Sequence, residues 1–286
     1  MNELHDTYRL LLVVYAVFSP LCFCISLAGS GWYGRLAPGW SRPYALPGRW
    51  AWFAGEIISP IALLYGASGR QLDAPFLTTN TYASSGHSAD RNAWLASVLL
   101  ALWLIHYTNR AVIHPLRVPR MSPMPAWTLA AMMIFNVMNG WVNGYWISLY
   151  AASTGQALLR AGLAGKLKFA VGLGMFVAGG LVNYYADSHL FQLKRASLKD
   201  RPSKEHPGRY RIPYSRLFSL VSCPHYLGEI VEWCGWAVMT SGAPGYLFAL
   251  ATMANLVPRA LSIHAWYHRT FSDYPSRRRA IFPWLL

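Results

Sequence analysis

The chain has 286 residues, of which 54% are hydrophobic and 13% charged, and its formal net charge is +14. A soluble domain carries about 25% charged residues, and a basic nucleic-acid binder is rich in charge and poor in long apolar runs. The composition therefore excludes a disordered chain, a nucleic-acid-binding domain and an ordinary cytosolic enzyme, and leaves an integral membrane protein.

Crossing a bilayer core of about 30 Å takes roughly 20 helical residues. Seven stretches approach that length, so the expected fold is all-α, a bundle of seven transmembrane helices. Span one runs from Leu10 to Ala28. Glu3 and Asp6 precede it and no small-x-small cleavage site follows, so it reads as a retained span rather than a signal peptide. Span two, Trp50 to Tyr65, is short and contains a proline together with Glu56. Span three, Trp94 to Ile113, carries the polar run His106, Tyr107, Thr108, Asn109 and Arg110. Span four covers Ala126 to Tyr150.

Span five, Phe169 to Leu190, holds Gly172, Gly174, Gly179 and Gly180 without a preceding strand or the G-x-G-x-x-G register. These read as close helix contacts rather than a dinucleotide loop. Near its end Asn183 and Asp187 are four apart and share a face, with Lys194 two turns on. A polar loop is expected from Lys194 to Pro213, since its Pro and Gly oppose one continuous helix. Span six, Leu217 to Met239, contains Ser222, His225, Glu229 and Glu232. Span seven, Tyr246 to Ile263, leads into His264, Tyr267, His268 and Arg269.

Charge placement sets the expected topology. The segments at the ends of spans one, three, five and seven hold 19 of the 25 Lys and Arg. That bias predicts an outside N-terminus and a cytosolic C-terminus. The triplet Arg277 to Arg279 reads as a lipid-headgroup anchor. Cys22, Cys24, Cys223 and Cys234 show no disulfide framework and read as packing residues. No His-x-x-Glu-His cluster occurs, so no metal is expected.

Four of the eleven acids fall within apolar segments: Glu56, Asp187, Glu229 and Glu232. An ionised carboxylate there costs about 2.5–3.5 kcal/mol even on lenient scales, so each is paired, protonated or facing water. The alternatives are interhelical ion pairs and a polar cavity, and four acids together favour the cavity. Cationic and hydrogen-bonding groups from spans three, five, six and seven converge on the cytosolic half. Arg and Lys suit phosphates, Asn and Asp suit ribose or amide, and Tyr suits stacking, which points to a nucleotide cofactor.

The run Tyr210-Arg211-Ile212-Pro213, Leu217-Phe218, Val221-Ser222, Tyr226 to Trp233, and Asp273-Tyr274-Pro275 with Arg278 and Pro283 resembles the C-terminal signature of the steroid 5-alpha-reductase family. Upstream, Ser30-Gly31, Tyr33-Gly34, Pro47, Arg49, Ala51-Trp52-Phe53, Glu56, His106-Tyr107, Arg110, Asn139-Gly140 and Gly144-Tyr145 fall in family order. The resemblance covers nearly the whole chain from about Gly29, and a bacterial member is expected. It implies an NADPH-dependent reductase that saturates the C4–C5 double bond of a 3-oxo-Δ4-steroid. Residues 1–150 would hold mainly the steroid and residues 151–286 mainly NADPH.

By position, the resemblance implies that Glu56 and Tyr107 bind the 3-keto oxygen and that Tyr33, Trp52 and Phe135 face the steroid. Arg110, Asn183, Asp187, Lys194, Tyr210, Arg211, His225, Glu229, Arg259, His264 and Tyr267 would form the cofactor site. Gly55 stands where animal members usually have Gln, and His225 where many have Asn. The preference for NADPH over NADH follows from the family and the surplus cations. The expected partners are the steroid, entering from the bilayer, and membrane lipids, with no nucleic acid and a monomeric state. The expected location is the bacterial inner membrane or the endoplasmic reticulum, with the cofactor site on the cytosolic side.

The residue chemistry agrees with this implication. Hydride adds to the β-carbon of an enone because charge moves onto oxygen, and donors preorganised in a dry site stabilise that oxygen. Tyr107 can donate through its phenol, and Glu56 only when it carries a proton. A lateral opening between spans one and four would admit a lipid-soluble substrate past Tyr33, Trp52, Trp141 and Trp146. Alternatives are a related membrane reductase of enoyl, polyprenol or other sterol double bonds, an isoprenylcysteine-type methyltransferase using S-adenosylmethionine, and a non-catalytic lipid-binding protein.

Overall fold

The computed structural model describes residues 2–28, 44–69, 94–199 and 210–285. Within them lie α1 (Asn2–Ala28), α2 (Gly48–Ala67), α3 (Trp94–Tyr107), α4 (His114–Arg117), α5 (Ala126–Arg160), α6 (Gly162–Lys199), α7 (Pro224–Thr240) and α8 (Ala243–Thr270). A π-helical segment, Thr108–Ile113, joins α3 to α4 without a break. Two short strands, β1 (Ala45–Leu46) and β2 (Met124–Pro125), pair antiparallel and bring the starts of α2 and α5 together.

Each expected span thus corresponds to a helical rod. Three of these rods, Trp94–Arg117, Gly162–Lys199 and Ala243–Thr270, are long and apolar enough to cross a membrane. Apolar side chains point outward along them and their neighbours, as Leu163 and Ile134 do at 73% and 71% exposure. Such a surface suits hydrocarbon rather than water.

Two helix pairs are zipped by glycine, which lets backbones touch where any side chain would intervene. In the α2–α5 pair, a Cβ on Gly140 would strike the Ser59 carbonyl and one on Gly144 the Leu63 carbonyl. In the α6–α7 pair, Gly172 faces Gly235 and Gly179 faces Gly228, each against the other's backbone. Gly172 and Gly179 thus make the close helix contacts expected of them, whereas a Cβ on Gly174 would meet nothing within 4 Å. Helix α1 packs chiefly on α8, and α8 also on α7.

The core between the pairs is aromatic. Trp103 of α3 lies 5.2 Å from Trp233 and 4.9 Å from Trp236, and Trp233 lies 4.1 Å from Phe248, centroid to centroid. One polar thread crosses it: Tyr15 Oη donates to Asn139 Oδ1, Asn143 Nδ2 donates to the same oxygen, and Trp236 Nε1 donates to Asn143 Oδ1, each at 3.0 Å.

Several expectations are corrected. Span six does not begin at Leu217. Residues Arg216–Phe218 form a 3₁₀ turn, Val221 pairs with Arg279, and α7 starts at Pro224. Proline lacks an N–H and fits the first turn of a helix but not its interior, so it fixes this boundary. Lys194 lies in helix rather than loop, because α6 continues to Lys199. Trp141 and Trp146 are packed inside the bundle and do not line the lateral path. Cys223 is buried as a packing residue, but Cys24 is exposed. Arg278 is only 4% exposed and lies between the rings of Tyr214 and Tyr274, at 5.1 and 5.2 Å, so the triplet as a whole is no headgroup anchor.

Candidate active site

The site is organised by the rod from α3 to α4. His106, Arg110 and His114 recur every four residues along it. A step of four overshoots an α-turn, whereas the i→i+5 bonding of the π segment widens the turn, and the two deviations offset. All three therefore reach the acids of neighbouring helices. Arg110 Nε lies 3.3 Å from Glu56 Oε1 of α2, and its Nη2 lies 3.6 Å from Glu229 Oε2 of α7. His106 Nδ1 is 2.8 Å from Glu232 Oε1, and His114 Nδ1 is 3.1 Å from Asp187 Oδ2 of α6. Both alternatives for the four acids hold: each lies within ion-pair distance of a basic side chain, and three of the pairs border the first cavity described below.

Trp52 braces this arrangement. Its Nε1 donates to the Arg110 carbonyl at 3.0 Å, its ring stacks on His114, and the Arg110 guanidinium lies over it at 4.7 Å.

The first cavity, of about 330 Å³, has mostly apolar walls from α1, α5 and α8, including Phe18, Leu21, Met132, Phe135 and Phe248. Glu56, Tyr107, Trp52 and Arg110 supply its polar end. Asn136 Nδ2 donates to the Gly55 carbonyl at 2.8 Å, tying α5 to α2 beside Glu56. A Cβ on Gly55 would lie 2.8 Å from Met132 Sδ, so Met132 occupies the room that a larger residue at 55 would need.

The second cavity, of about 250 Å³, is more polar than the first and borders it. Lys194, Tyr210, Arg211, His225, Arg259 and Tyr267 line it. Arg259 belongs to both walls and donates from Nε to Tyr226 Oη at 2.6 Å. His225 Nδ1 is buried without a hydrogen-bond partner among the described residues, as in a site built to receive a ligand polar group.

The remaining expected residues lie around these cavities. Arg110 and Glu229 line the first cavity rather than the second. Asn183 Nδ2 donates to the His225 carbonyl at 3.0 Å and reaches Glu229 Oε2 at 3.4 Å. Asp187 is held by His114, behind the wall. His264 also stands behind it, with Nδ1 2.6 Å from Ser222 Oγ, which in turn lies 2.6 Å from Tyr274 Oη. Burial pushes the Tyr274 phenol up against the opposing pull of its hydrogen bonds with Ser222 and Arg278, so it stays a neutral bridge. Tyr33 lies outside the described residues.

Sequence reasoning did not assign His114, Asn136, Met132 or Phe248 to the site. The four-residue spacing of His106, Arg110 and His114 was the available signal for the first. The others follow only from the packing of α5 and α8.

A family model described as 3-oxo-5-alpha-steroid 4-dehydrogenase matches residues 122–286. A steroid 5-alpha-reductase of Solanum lycopersicum is 40% identical over 195 residues, spanning 67% of this chain and 70% of its own. A 3-oxo-5-alpha-steroid 4-dehydrogenase 1 of Bos taurus is 32% identical over 270 residues, spanning 93% and 92%. An uncharacterised protein of Schizosaccharomyces pombe is 31% identical over 291 residues, spanning 99% of each. The chain belongs to the 3-oxo-5-alpha-steroid 4-dehydrogenase family and is an oxidoreductase.

Proposed function

We propose that this protein reduces the C4–C5 double bond of 3-oxo-Δ4-steroids with NADPH. One observation carries the reading: an apolar cavity with Glu56 and Tyr107 at its polar end borders a cation-lined cavity, with Arg259 in both walls. The relatives' names supply the substrate class.

In the first cavity the steroid's 3-keto oxygen would lie between Glu56 and Tyr107. The charge inventory supports Glu56 as a proton-bearing donor. Asp187 and Glu232 each have a histidine, while Glu56 and Glu229 share Arg110. Two acids meet the one Arg110 guanidinium, so one of them can carry a proton, and Glu56 is assigned it because it stands with Tyr107 at the polar end of the cavity. Glu56 then donates that proton in a hydrogen bond. With the Tyr107 phenol it forms a preorganised pair for the enolate oxygen. Trp52, braced over Arg110, and Phe135 would hold the ring system.

In the second cavity Lys194, Arg211 and Arg259 would take the phosphates of NADPH, Tyr210 and Tyr267 would pack on its rings, and His225 Nδ1 would meet an amide. Arg110, Asn183, Asp187, Glu229 and His264 would hold that wall in shape. When bound, NADPH supplies the hydride for the β-carbon. Residues up to 150 contribute mainly to the steroid cavity, and later helices mainly to the cofactor cavity.

In the membrane, seven spans with an outside N-terminus would place the second cavity at the cytosolic face. The steroid would enter laterally between α1 and α5, past Phe18, Leu21 and Phe135. Monomeric bundles suffice, since both cavities are built from one chain.

The test is single-turnover reduction of progesterone or testosterone with product analysis. Glu56→Gln and Tyr107→Phe are each expected to slow hydride transfer about 10²–10³-fold while NADPH still quenches tryptophan fluorescence. Near-normal rates in both variants would sink the reading. Quenching by S-adenosylmethionine but not by NADPH would replace it with methyl transfer.

A further inference from the structure

Reduction of an enone needs a proton at the α-carbon as well as a hydride at the β-carbon, and the proposed function leaves that proton without a donor. The inference below rests on that reading. Few groups on the cavity wall can supply it. Glu56 and Tyr107 are engaged at the keto oxygen. Arg110 and Arg259 carry guanidinium groups, which do not release protons near neutrality. Glu229 is the counter-ion of Arg110, 3.6 Å away. Thr128, Asn136, Thr252, Asn255 and Ser262 offer only hydroxyls and amides, which are very weak acids.

His106 remains. It lines the same cavity, with its ring centroid 5.0 Å from that of Tyr107 and 4.6 Å from that of Trp233. Its Nδ1 is 2.8 Å from Glu232 Oε1, and the two side chains are 8% and 5% exposed. A carboxylate on Nδ1 fixes the tautomer, aims the ring and stabilises the imidazolium, leaving Nε2 as the nitrogen for the cavity. On its far side Glu232 faces a glycine of α6. A Cβ on Gly180 of α6 would lie 3.2 Å from Glu232 Oε1, so a glycine there leaves room for the carboxylate and little more.

We propose that His106, oriented by Glu232, is the catalytic acid that protonates C4 of the steroid. As hydride from a reduced nicotinamide reaches C5, the C4–C5 π bond breaks and its electron pair moves through C4–C3 onto the keto oxygen. The resulting enolate is held by Glu56 and Tyr107. It collapses with formation of a C4–H bond to the proton of His106 Nε2, and the ketone is restored. The imidazole is left neutral with Nδ1–H on Glu232, and water returns the proton. The enone gains two electrons and the nicotinamide loses two. Glu232 is a positioning residue, acting through His106.

The test is reduction of progesterone with NADPH in D₂O, with the configuration of deuterium at C4 read by NMR. A fixed donor delivers deuterium to one face, so the wild type is expected to give a single C4 epimer. His106→Gln, and the double variant His106→Gln/Glu232→Gln that leaves no unpaired carboxylate, are expected to turn over about 10²-fold more slowly or less. Their product is expected to carry both C4 epimers, because water then supplies the proton from either side. Tryptophan quenching by progesterone without cofactor is expected to be unchanged. A single C4 epimer from the double variant, at any rate, overturns the assignment. Loss of progesterone binding in both variants overturns it too, by making His106 a structural residue. A wild type that reduces no progesterone overturns the reductase reading itself, which separates the two failures.

Discussion

Glu56 shares Arg110 with Glu229, whereas Asp187 and Glu232 each have a histidine of their own. At the scale of single residues this sharing sets Glu56 and Glu229 apart from the two histidine-held acids, and Glu56, beside Tyr107, is the one proposed to donate. Two further residues carry expectations of their own. Gly55→Gln would drive its side chain into Met132 and is expected to abolish steroid quenching at a stability cost of about 1–3 kcal/mol. Adding Met132→Ala is expected to restore binding, whereas failure to do so would place the conflict elsewhere. Arg259→Met is expected to weaken NADPH binding about 10–100-fold, the range for losing a hydrogen bond to a charged group, with progesterone binding retained. Fluorescence titration of each ligand reads both effects.

Among the elements, the helices were largely legible from the chain. Apolar stretches located all seven rods in spite of the acids within them, and Asn183 and Asp187 do share a face of α6 that meets α7 and α4. Three features were not legible. The start of α7 depends on Pro224, inside a run whose hydropathy gives no break. The extension of α6 to Lys199 is polar helix, which apolarity cannot signal. The π segment is set by where His106, Arg110 and His114 find partners, and those partners lie on other helices. The resemblance brought Glu56 and Tyr107 forward, but only packing joins them to Arg110, Trp52 and Asn136. The glycine seams yield a stability expectation. Gly179→Leu forces α6 off the Glu232 backbone and is expected to cost about 1–3 kcal/mol or more, read as a lowered thermal midpoint in detergent. An unchanged midpoint would mean that the seam is not tightly closed.

For the molecule as a whole, the architecture is two zipped pairs, α2–α5 and α6–α7, bridged by the rod from α3 to α4 and closed by α1 and α8. The first cavity is walled chiefly by α5 and α8 and the second by α6, α7 and α8 with the segment before α7; Arg259 of α8 stands in both walls, while His106 and Arg110 of the rod line the first alone. The proposed orientation is directly measurable. In a chain with its native cysteines replaced by serine, Ser241→Cys between α7 and α8 is expected to react with an impermeant maleimide in intact cells. Ser276→Cys, beyond α8, is expected to react only after permeabilisation. The reverse pattern would invert the topology.

The thread from Tyr15 through Asn139 and Asn143 to Trp236 has a bearing on how the bundle is made. In hydrocarbon there is no water to satisfy a tyrosine hydroxyl or a side-chain amide while it waits. Tyr15 is synthesised long before Asn139, and α1 packs mainly on α8, which is synthesised later still. The early helix therefore has no complete set of neighbours while the middle of the chain is being inserted. Assembly is correspondingly late for α1: the glycine-zipped pairs can form as soon as their own helices exist, and the wall carrying Phe18 and Leu21 closes over the first cavity last.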